Sequence, residues 1–376
     1  MHLPTFKLEE YFAKHEFSAP YMLGSSDAET HNLSELLAMA DVQCLHLWQN
    51  LKMSYTETHG LPLLREEISR LYTKQAPDNI LVFSGAEEAI YITMRVLLQA
   101  NDEVVVLTPC YQSLTDVAKA IGAKVIEFSL DWIGTAWGFD LARFKQTLTA
   151  KTKLVVINFP HNPTGFHPDK MMFNEIISSV KQWGIHLFSD EVYRLSEQNS
   201  RDTLPNAADC YDKALSLSVM STAFGLPGLR IGWLAAQDKA LLAQLANYKN
   251  YTTICNSAPS ELLSVIALRN KQEILNRNIG IAKHNLALLD KFFSRHGAAY
   301  AWYRPKAGFV SFPRLKLAID IVDYAEKFIS EEGVIIAPGT LFNNFTNHFR
   351  LGFSRGNLPE VLERLERFTQ NLIKMI

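Results

Sequence analysis

Several short segments of this chain place polar or charged side chains directly after apolar runs, where they could gather around one ligand. Ser84-Gly85-Ala86-Glu87 closes one such run and opens a helical pattern. Small residues there let a phosphate approach backbone N–H groups at the positive end of a helix. Pro109-Cys110-Tyr111 follows the next run and offers an aromatic face to a flat heteroaromatic ring. In Asn158-Phe159-Pro160-His161-Asn162-Pro163-Thr164-Gly165 the Asn-Pro and Thr-Gly steps make a turn, but a turn requires neither asparagine side chain. Asn162 can therefore present an amide donor to a phenolate oxygen. Ser189-Asp190-Glu191-Val192-Tyr193 puts an acid at the end of an apolar strand. Capping a helix is one use for Asp190; keeping a pyridine nitrogen protonated, so that the ring accepts electrons, is the other. Tyr193, three residues on, can reach the same phenolate as Asn162.

Two arginines complete the set. The run SVMSTAFGLPGLRIGW, Ser218–Trp233, turns at Gly225-Leu226-Pro227-Gly228 and delivers Arg230 eight residues beyond Thr222. A guanidinium there can hold a phosphate by two parallel hydrogen bonds; an ordinary surface arginine opening a strand is the alternative. Arg350 lies within His348-Phe349-Arg350-Leu351-Gly352-Phe353, a charge between apolar neighbours. Such a charge is rarely buried without a partner, and a substrate carboxylate or a structural ion pair would serve.

These residues need a scaffold that brings strand ends together. Apolar runs at Ile80–Ser84, Glu103–Thr108, Lys124–Phe128, Lys153–Phe159, Ile185–Ser189, Leu215–Met220 and Arg230–Ala235 predict buried strands. Between them, Glu87–Ala100, Tyr111–Ile121 and Met171–Trp183 carry apolar residues near the helical period. The alternation implies an α/β domain with a mostly parallel seven-stranded sheet covered by helices. Ligands bind such sheets at the carboxyl ends of the strands. After about Leu262 the texture changes to a long helix (Glu273–His296), strand-like Gly308–Phe312, Val334–Ala337 and Phe349–Phe353, and a closing helix at Pro359–Ile376. The expectation is a large domain at 41–272 and a smaller α+β domain built from both termini, 1–40 and 273–376.

Composition narrows the class. At 376 residues, 48% hydrophobic and 20% charged, the chain can bury more than one core. A net charge of -2 gives no electrostatic reason to expect nucleic acid or an anionic membrane. Cys44, Cys110, Cys210 and Cys255 are scattered, without metal-ligand spacing, as expected of free thiols in the cytoplasm. No secretory signal, membrane-length apolar run or GxGxxG fingerprint after the first strand is visible.

In their order, Asn-Pro-Thr-Gly, Asp-Glu-Val-Tyr and Gly-Leu-Pro-Gly-Leu-Arg-Ile-Gly-Trp resemble the motifs of class I/II aminotransferases of the aspartate aminotransferase fold (fold type I). These enzymes use pyridoxal 5′-phosphate (PLP), and the resemblance spans the chain from the Gly24 region to Arg350. It implies amino-group transfer between an amino acid and a 2-oxo acid in a cytoplasmic homodimer. By this likeness Gly85, Ala86 and Glu87 hold phosphate through the backbone, Tyr111 stacks on the ring, and Asn162 and Tyr193 contact its phenolate. Asp190 pairs with the ring nitrogen, Arg230 binds phosphate, and Tyr55 reaches the phosphate of the neighbouring subunit; Ser221, or else Ser218, is this chain's own candidate for a further phosphate ligand. Gly24, Asn162 and Arg350 bind substrate, Arg350 through its α-carboxylate. His59, Asn256 and His348 are candidates for the substrate side-chain pocket.

Two positions depart from the pattern. Val219 stands where a phosphate-binding serine is common, and Thr222 stands where the family has the Schiff-base lysine. A hydroxyl cannot form an imine, so the resemblance implies PLP bound non-covalently, or present as an external aldimine or pyridoxamine phosphate. Three readings follow: an inactive or adduct-trapping variant of an aminotransferase, a natural lysine-free PLP enzyme of another reaction type, or a PLP-binding pseudoenzyme acting as a sensor. Retention of every other cofactor residue argues against long drift after lost function.

Overall fold

A computed structural model describes residues 2–375. Seven strands make the central sheet: β1 (Ile80–Phe83), β2 (Glu103–Thr108), β3 (Lys124–Ser129), β4 (Thr152–Asn158), β5 (His186–Asp190), β6 (Ala214–Val219) and β7 (Gly232–Ala236). Their order is β1-β7-β6-β5-β4-β2-β3. All pairings are parallel except those of β7, which runs antiparallel to β1 and β6. The chain from β6 to β7 contains only a short 3₁₀ turn, and without a crossover helix the returning strand must run the other way.

The helices that position the site are α1 (Lys7–His15), α2 (Ala86–Leu97), α3 (Ser113–Ile121) and α4 (Lys170–Gln182). α2, α3 and α4 each follow a parallel-running strand and cover the sheet. Both faces are therefore dry: along β2, Val104 and Val106 join one core while Val105 and Leu107 join the other. That is the period-two alternation of a strand buried on both sides. Asp169 starts α4 by accepting a hydrogen bond from the Met172 amide at 2.7 Å.

The smaller part is stitched together from the two ends of the chain. Tyr21–Met22 pairs in parallel with Val334–Ile335, and Phe349–Gly352 lies between Val310–Ser311 and Ala337–Pro338 in an antiparallel sheet. Against these pack α5 (Lys271–Arg295), α6 (Ile321–Glu332) and α7 (Leu358–Met375). Among the described residues no helix is long and apolar enough to cross a membrane.

Two local expectations need correction, and one element was not foreseen. Val334–Ala337 is two short strands, because Ile336 breaks the pairing between Ile335 and Ala337. An Asp131–Ile133/Ala136–Gly138 hairpin, held by facing Trp132 and Trp137, was hidden by its short strands and mixed composition. Arg230 does not open the last strand: it sits at φ 51°, ψ 45°, in the left-handed region, and β7 begins at Gly232. The expected end of the closing helix, Ile376, lies outside the described residues.

Candidate active site

A cavity of about 780 Å³ opens at the carboxyl ends of β4 and β5. The last residues of these strands, Asn158 and Asp190, are paired in register. Asn158 Nδ2 donates to the Asp190 carbonyl at 3.0 Å, and its Oδ1 accepts from the Asn162 amide at 2.7 Å. One side chain thus ties the turn that carries Asn162 to the strand that carries Asp190. Asp190 is buried and its Oδ1 accepts from the Val192 amide at 3.2 Å. Burial raises its carboxyl to about 7, the Val192 amide opposing and the neighbouring Glu191 adding to the rise. Glu191 itself faces away, accepting from the Ala207 amide and from Ser216 Oγ.

Tyr193 is 1% exposed and donates its hydroxyl to the Ser26 carbonyl at 2.7 Å. Thr222 lines the same cavity, and its hydroxyl donates to the Val192 carbonyl. No lysine borders this space among the described residues. The buried Lys249 lies elsewhere, donating to the Thr58 carbonyl at 2.8 Å.

Arg350 enters from the middle strand of the small antiparallel sheet and is 2% exposed. Its Nη1 donates to Asn162 Oδ1 at 3.2 Å and its Nη2 to the Gly24 carbonyl at 2.9 Å. Nε has no partner among the described residues. The guanidinium lies 5.1 Å from the Phe342 ring centre and 5.7 Å from that of Phe12. Its hydrogen-bond acceptors are neutral, so burial pulls its pKa down, and an anion entering the cavity would meet an under-compensated cation.

Arg230 forms a second positive corner at the start of α2. A Cβ on Gly85 would fall 2.5 Å from Arg230 Nη2, and Gly85 holds φ 88°. Only glycine fits both the backbone and the guanidinium that lies against it. The Ser84 amide is taken by Glu88 Oε2 at 2.7 Å, and the Gly85 amide by the Phe83 carbonyl at 2.9 Å. The first amides of α2, at Ala86 and Glu87, have no intrahelical acceptor and point their dipole toward the same corner.

Most of the expected residues therefore meet in one space: Ala86, Glu87, Tyr111, Asn162, Asp190 and Tyr193, with Ser221, Thr222, Arg230 and Arg350. Gly85 shapes the wall behind Arg230, and Gly24 acts through its carbonyl. Tyr55 is 85% exposed and lies outside the cavity. His59, Asn256 and His348 do not border it. Asn256 instead bonds Glu261 at 2.9 Å, and His348 is packed among Trp132, Trp137 and Phe312.

Other residues around the cavity come from parts of the chain that the motifs did not single out. Phe6, Glu9 and Phe12 of the α1 region border it, and Glu9 accepts the Tyr111 hydroxyl at 2.7 Å. Arg355 also lines it, held to Asp27 at 2.9 Å and to Ser25 Oγ at 2.9 Å. Only the Arg355 position had a signal, being a second arginine in the segment Arg350-Leu351-Gly352-Phe353-Ser354-Arg355.

The aminotransferase class I and II family profile matches residues 26–367. A crystal structure of a PLP-dependent aminotransferase from Streptococcus suis 89-1591 superposes with a TM-score of 0.92 and 32% identity, covering 99% of each chain. The PLP-dependent cyclase OrfR superposes with a TM-score of 0.89 and 25% identity, covering 99% of this chain and 98% of its own. Capreomycidine synthase of Streptomyces vinaceus is 28% identical over 373 residues, 98% of this chain and 94% of that protein.

Proposed function

This chain belongs to the class I and II aminotransferases, and on that premise we propose that it binds PLP and an amino acid in one cavity but turns over very slowly for want of a lysine. PLP is the cofactor of this fold family, whose chemistry is amino-group transfer. The residues present fit that group. Arg230 pressed against Gly85, the free first-turn amides of α2 and the cavity-facing Ser221 would hold a phosphate. Tyr111 would cover the ring, Asn162 and Tyr193 would meet its phenolate oxygen, and Asp190 its nitrogen. The unpartnered Nε of Arg350 would take an α-carboxylate, with Asn162 and the Gly24 carbonyl fixing the guanidinium.

When bound, PLP supplies an electron sink for the amino acid's α-carbon. Asp190 would support that sink, as a buried carboxylate able to hold a proton on the ring nitrogen. Arg350 orients the substrate, and Phe6 and Phe12 of the α1 region help exclude water. Proton movement at the α-carbon is where the chain falls short. The Thr222 hydroxyl is committed to the Val192 carbonyl, cannot form an imine, and is far too weak a base at neutral pH. A placed acid–base group contributes about 10²–10⁴-fold, and that factor is missing.

The observation that carries this reading is Thr222 facing a cavity otherwise furnished with Asp190, Asn162, Tyr193, Arg230 and Arg350. Thr222→Lys should produce the absorbance of a lysine-bound cofactor and measurable transfer of an amino group to a 2-oxo acid. Neither appearing would refute the reading. The full-length likeness to a cyclase and to capreomycidine synthase supports a second reading, in which the same cofactor site serves another reaction type. Product analysis of Thr222→Lys by mass spectrometry separates the two: a 2-oxo acid from transfer, a cyclised amino acid from the alternative.

Two copies of the chain would complete the site. Exposed Met53, Tyr55 and Tyr251 support a homodimer in which Tyr55 reaches the partner's phosphate corner. Four free cysteines support a cytoplasmic setting.

A further inference from the structure

The phosphate corner contains an acid to which the reading above gives no side-chain role. Glu87 lies in the first turn of α2 and lines the cavity that Arg230 borders, close enough for the guanidinium to act on its carboxyl. Its Oε2 accepts a hydrogen bond from Ser113 Oγ at 3.0 Å, which leaves Oε1 without a donor among the described residues. Phe6 and Glu87 also form the wall shared with a smaller cavity of about 340 Å³. An acid is an unexpected neighbour for a dianion: two like charges at such close quarters do not both ionise.

We propose that Glu87 is the proton-carrying member of the phosphate site, donating its carboxyl O–H to the phosphate of PLP so that loading takes up one proton. The proposal rests on the assignment of that corner to phosphate.

The surroundings of Glu87 favour the neutral acid. Facing it are Glu9 from α1, Tyr111, Ser113 and Asp116 at the start of α3, Arg230 from the loop before β7, and Asp190 from β5. Glu88 neighbours it on α2 and borders the smaller cavity. Burial is the largest cause that raises the Glu87 carboxyl, to about 7; Glu9 adds to the rise, while Ser113 and Arg230 oppose it. The other acids nearby have hydrogen-bond partners of their own. Glu88 accepts from the Ser84 amide and from the hydroxyls of Thr252 and Thr253. Glu9 accepts from Tyr111, and Asp116 from Gln112. Of the two carboxyls that open α2 beside Arg230, Glu88 has both oxygens engaged and Glu87 keeps one uncommitted.

The test is a fluorescence titration of the full-length protein with pyridoxamine 5′-phosphate, which has no aldehyde to react with surface lysines. Pyridoxamine, which lacks the phosphate, is the control. Above pH 7 the parent's Kd for the phosphorylated ligand should rise by about tenfold per pH unit relative to Glu87→Gln, whose neutral amide donates at every pH. Pyridoxamine should show no such difference between the two proteins. A second variant, Ser113→Ala, removes the hydrogen bond that favours ionisation and should move the onset of the parent's loss to higher pH. Parallel pH curves for parent and Glu87→Gln, or an onset unmoved in Ser113→Ala, would overturn the proposal. Arg230→Ala binding pyridoxamine 5′-phosphate as tightly as the parent would overturn instead the phosphate assignment beneath it.

Discussion

Asp190 should make the cofactor-free protein less stable as pH rises, and Asp190→Asn should remove that cost. The carboxyl ends β5 at 6% exposure, and burial moves its pKa from the ordinary 3.8 up to about 7. A raised acid pKa in the folded state means that folding opposes ionisation. The cost is absent below the unfolded value, grows between about pH 4 and pH 7, and is constant above that window. Roughly three pH units correspond to about 4 kcal/mol. Water entering the cavity screens part of this, leaving an expectation of roughly 2–4 kcal/mol at pH 8. The asparagine keeps the shape and the acceptor for the Val192 amide but cannot ionise. For a chain of 376 residues, that free energy corresponds to a rise in Tm of roughly 3–5 °C. Differential scanning fluorimetry of dialysed protein between pH 4.5 and 8.5 measures it. The advantage of the variant should shrink steadily toward acid. Adding PLP should then stabilise the parent more than the variant, because the ring nitrogen loses its anionic partner. A gap in Tm that stays constant with pH would refute the reasoning, since it would place the effect in packing rather than ionisation.

Other outcomes follow from the same geometry. Arg350→Leu keeps the apolar shell of Phe12 and Phe342 but removes the guanidinium. Amino-acid affinity, read from the cofactor spectrum, should fall by about 30- to 1000-fold, the equivalent of about 2–4 kcal/mol; undiminished affinity would exclude Arg350 as the carboxylate site. Gly85→Ala forces a side chain into a backbone at φ 88° and against Arg230. It should weaken pyridoxamine 5′-phosphate binding by about 5- to 150-fold in a calorimetric titration, from a strain of about 1–3 kcal/mol, and pyridoxamine much less. Borohydride treatment of the PLP-loaded parent should leave an intact mass without covalent cofactor, because no lysine borders the cavity among the described residues; a stable adduct mapped to a lysine would contradict this. The Thr222→Lys protein, treated alike, should carry one.

The central strands were legible because a strand buried on both faces is written as an uninterrupted apolar run, and Val104-Val105-Val106-Leu107 is such a run. The order of the motifs pointed to the family, because each reactive residue follows its own strand. Where the structure departed from expectation, tertiary contact had overridden local pattern. Arg230 looked like the first residue of a strand, yet the Gly225–Gly228 turn and the space at Gly85 hold it in a left-handed conformation that no run of residue types announces. His348 looked available to substrate because it lies two residues from Arg350, but it precedes the strand Phe349–Gly352, and its ring packs among Trp132 and Phe312.

By itself, then, the amino-acid sequence determined the sheet and the family, since these depend on residue types in order along the chain. Only the tertiary structure decided that Glu9 would lie over Tyr111, that Arg350 would be buried against neutral oxygens, and that Glu87 would face Arg230 across one cavity. Those contacts join residues that are tens to hundreds of positions apart. Their energies come from burial and from charges brought close together, and neither exists until the two ends of the chain have closed over the sheet.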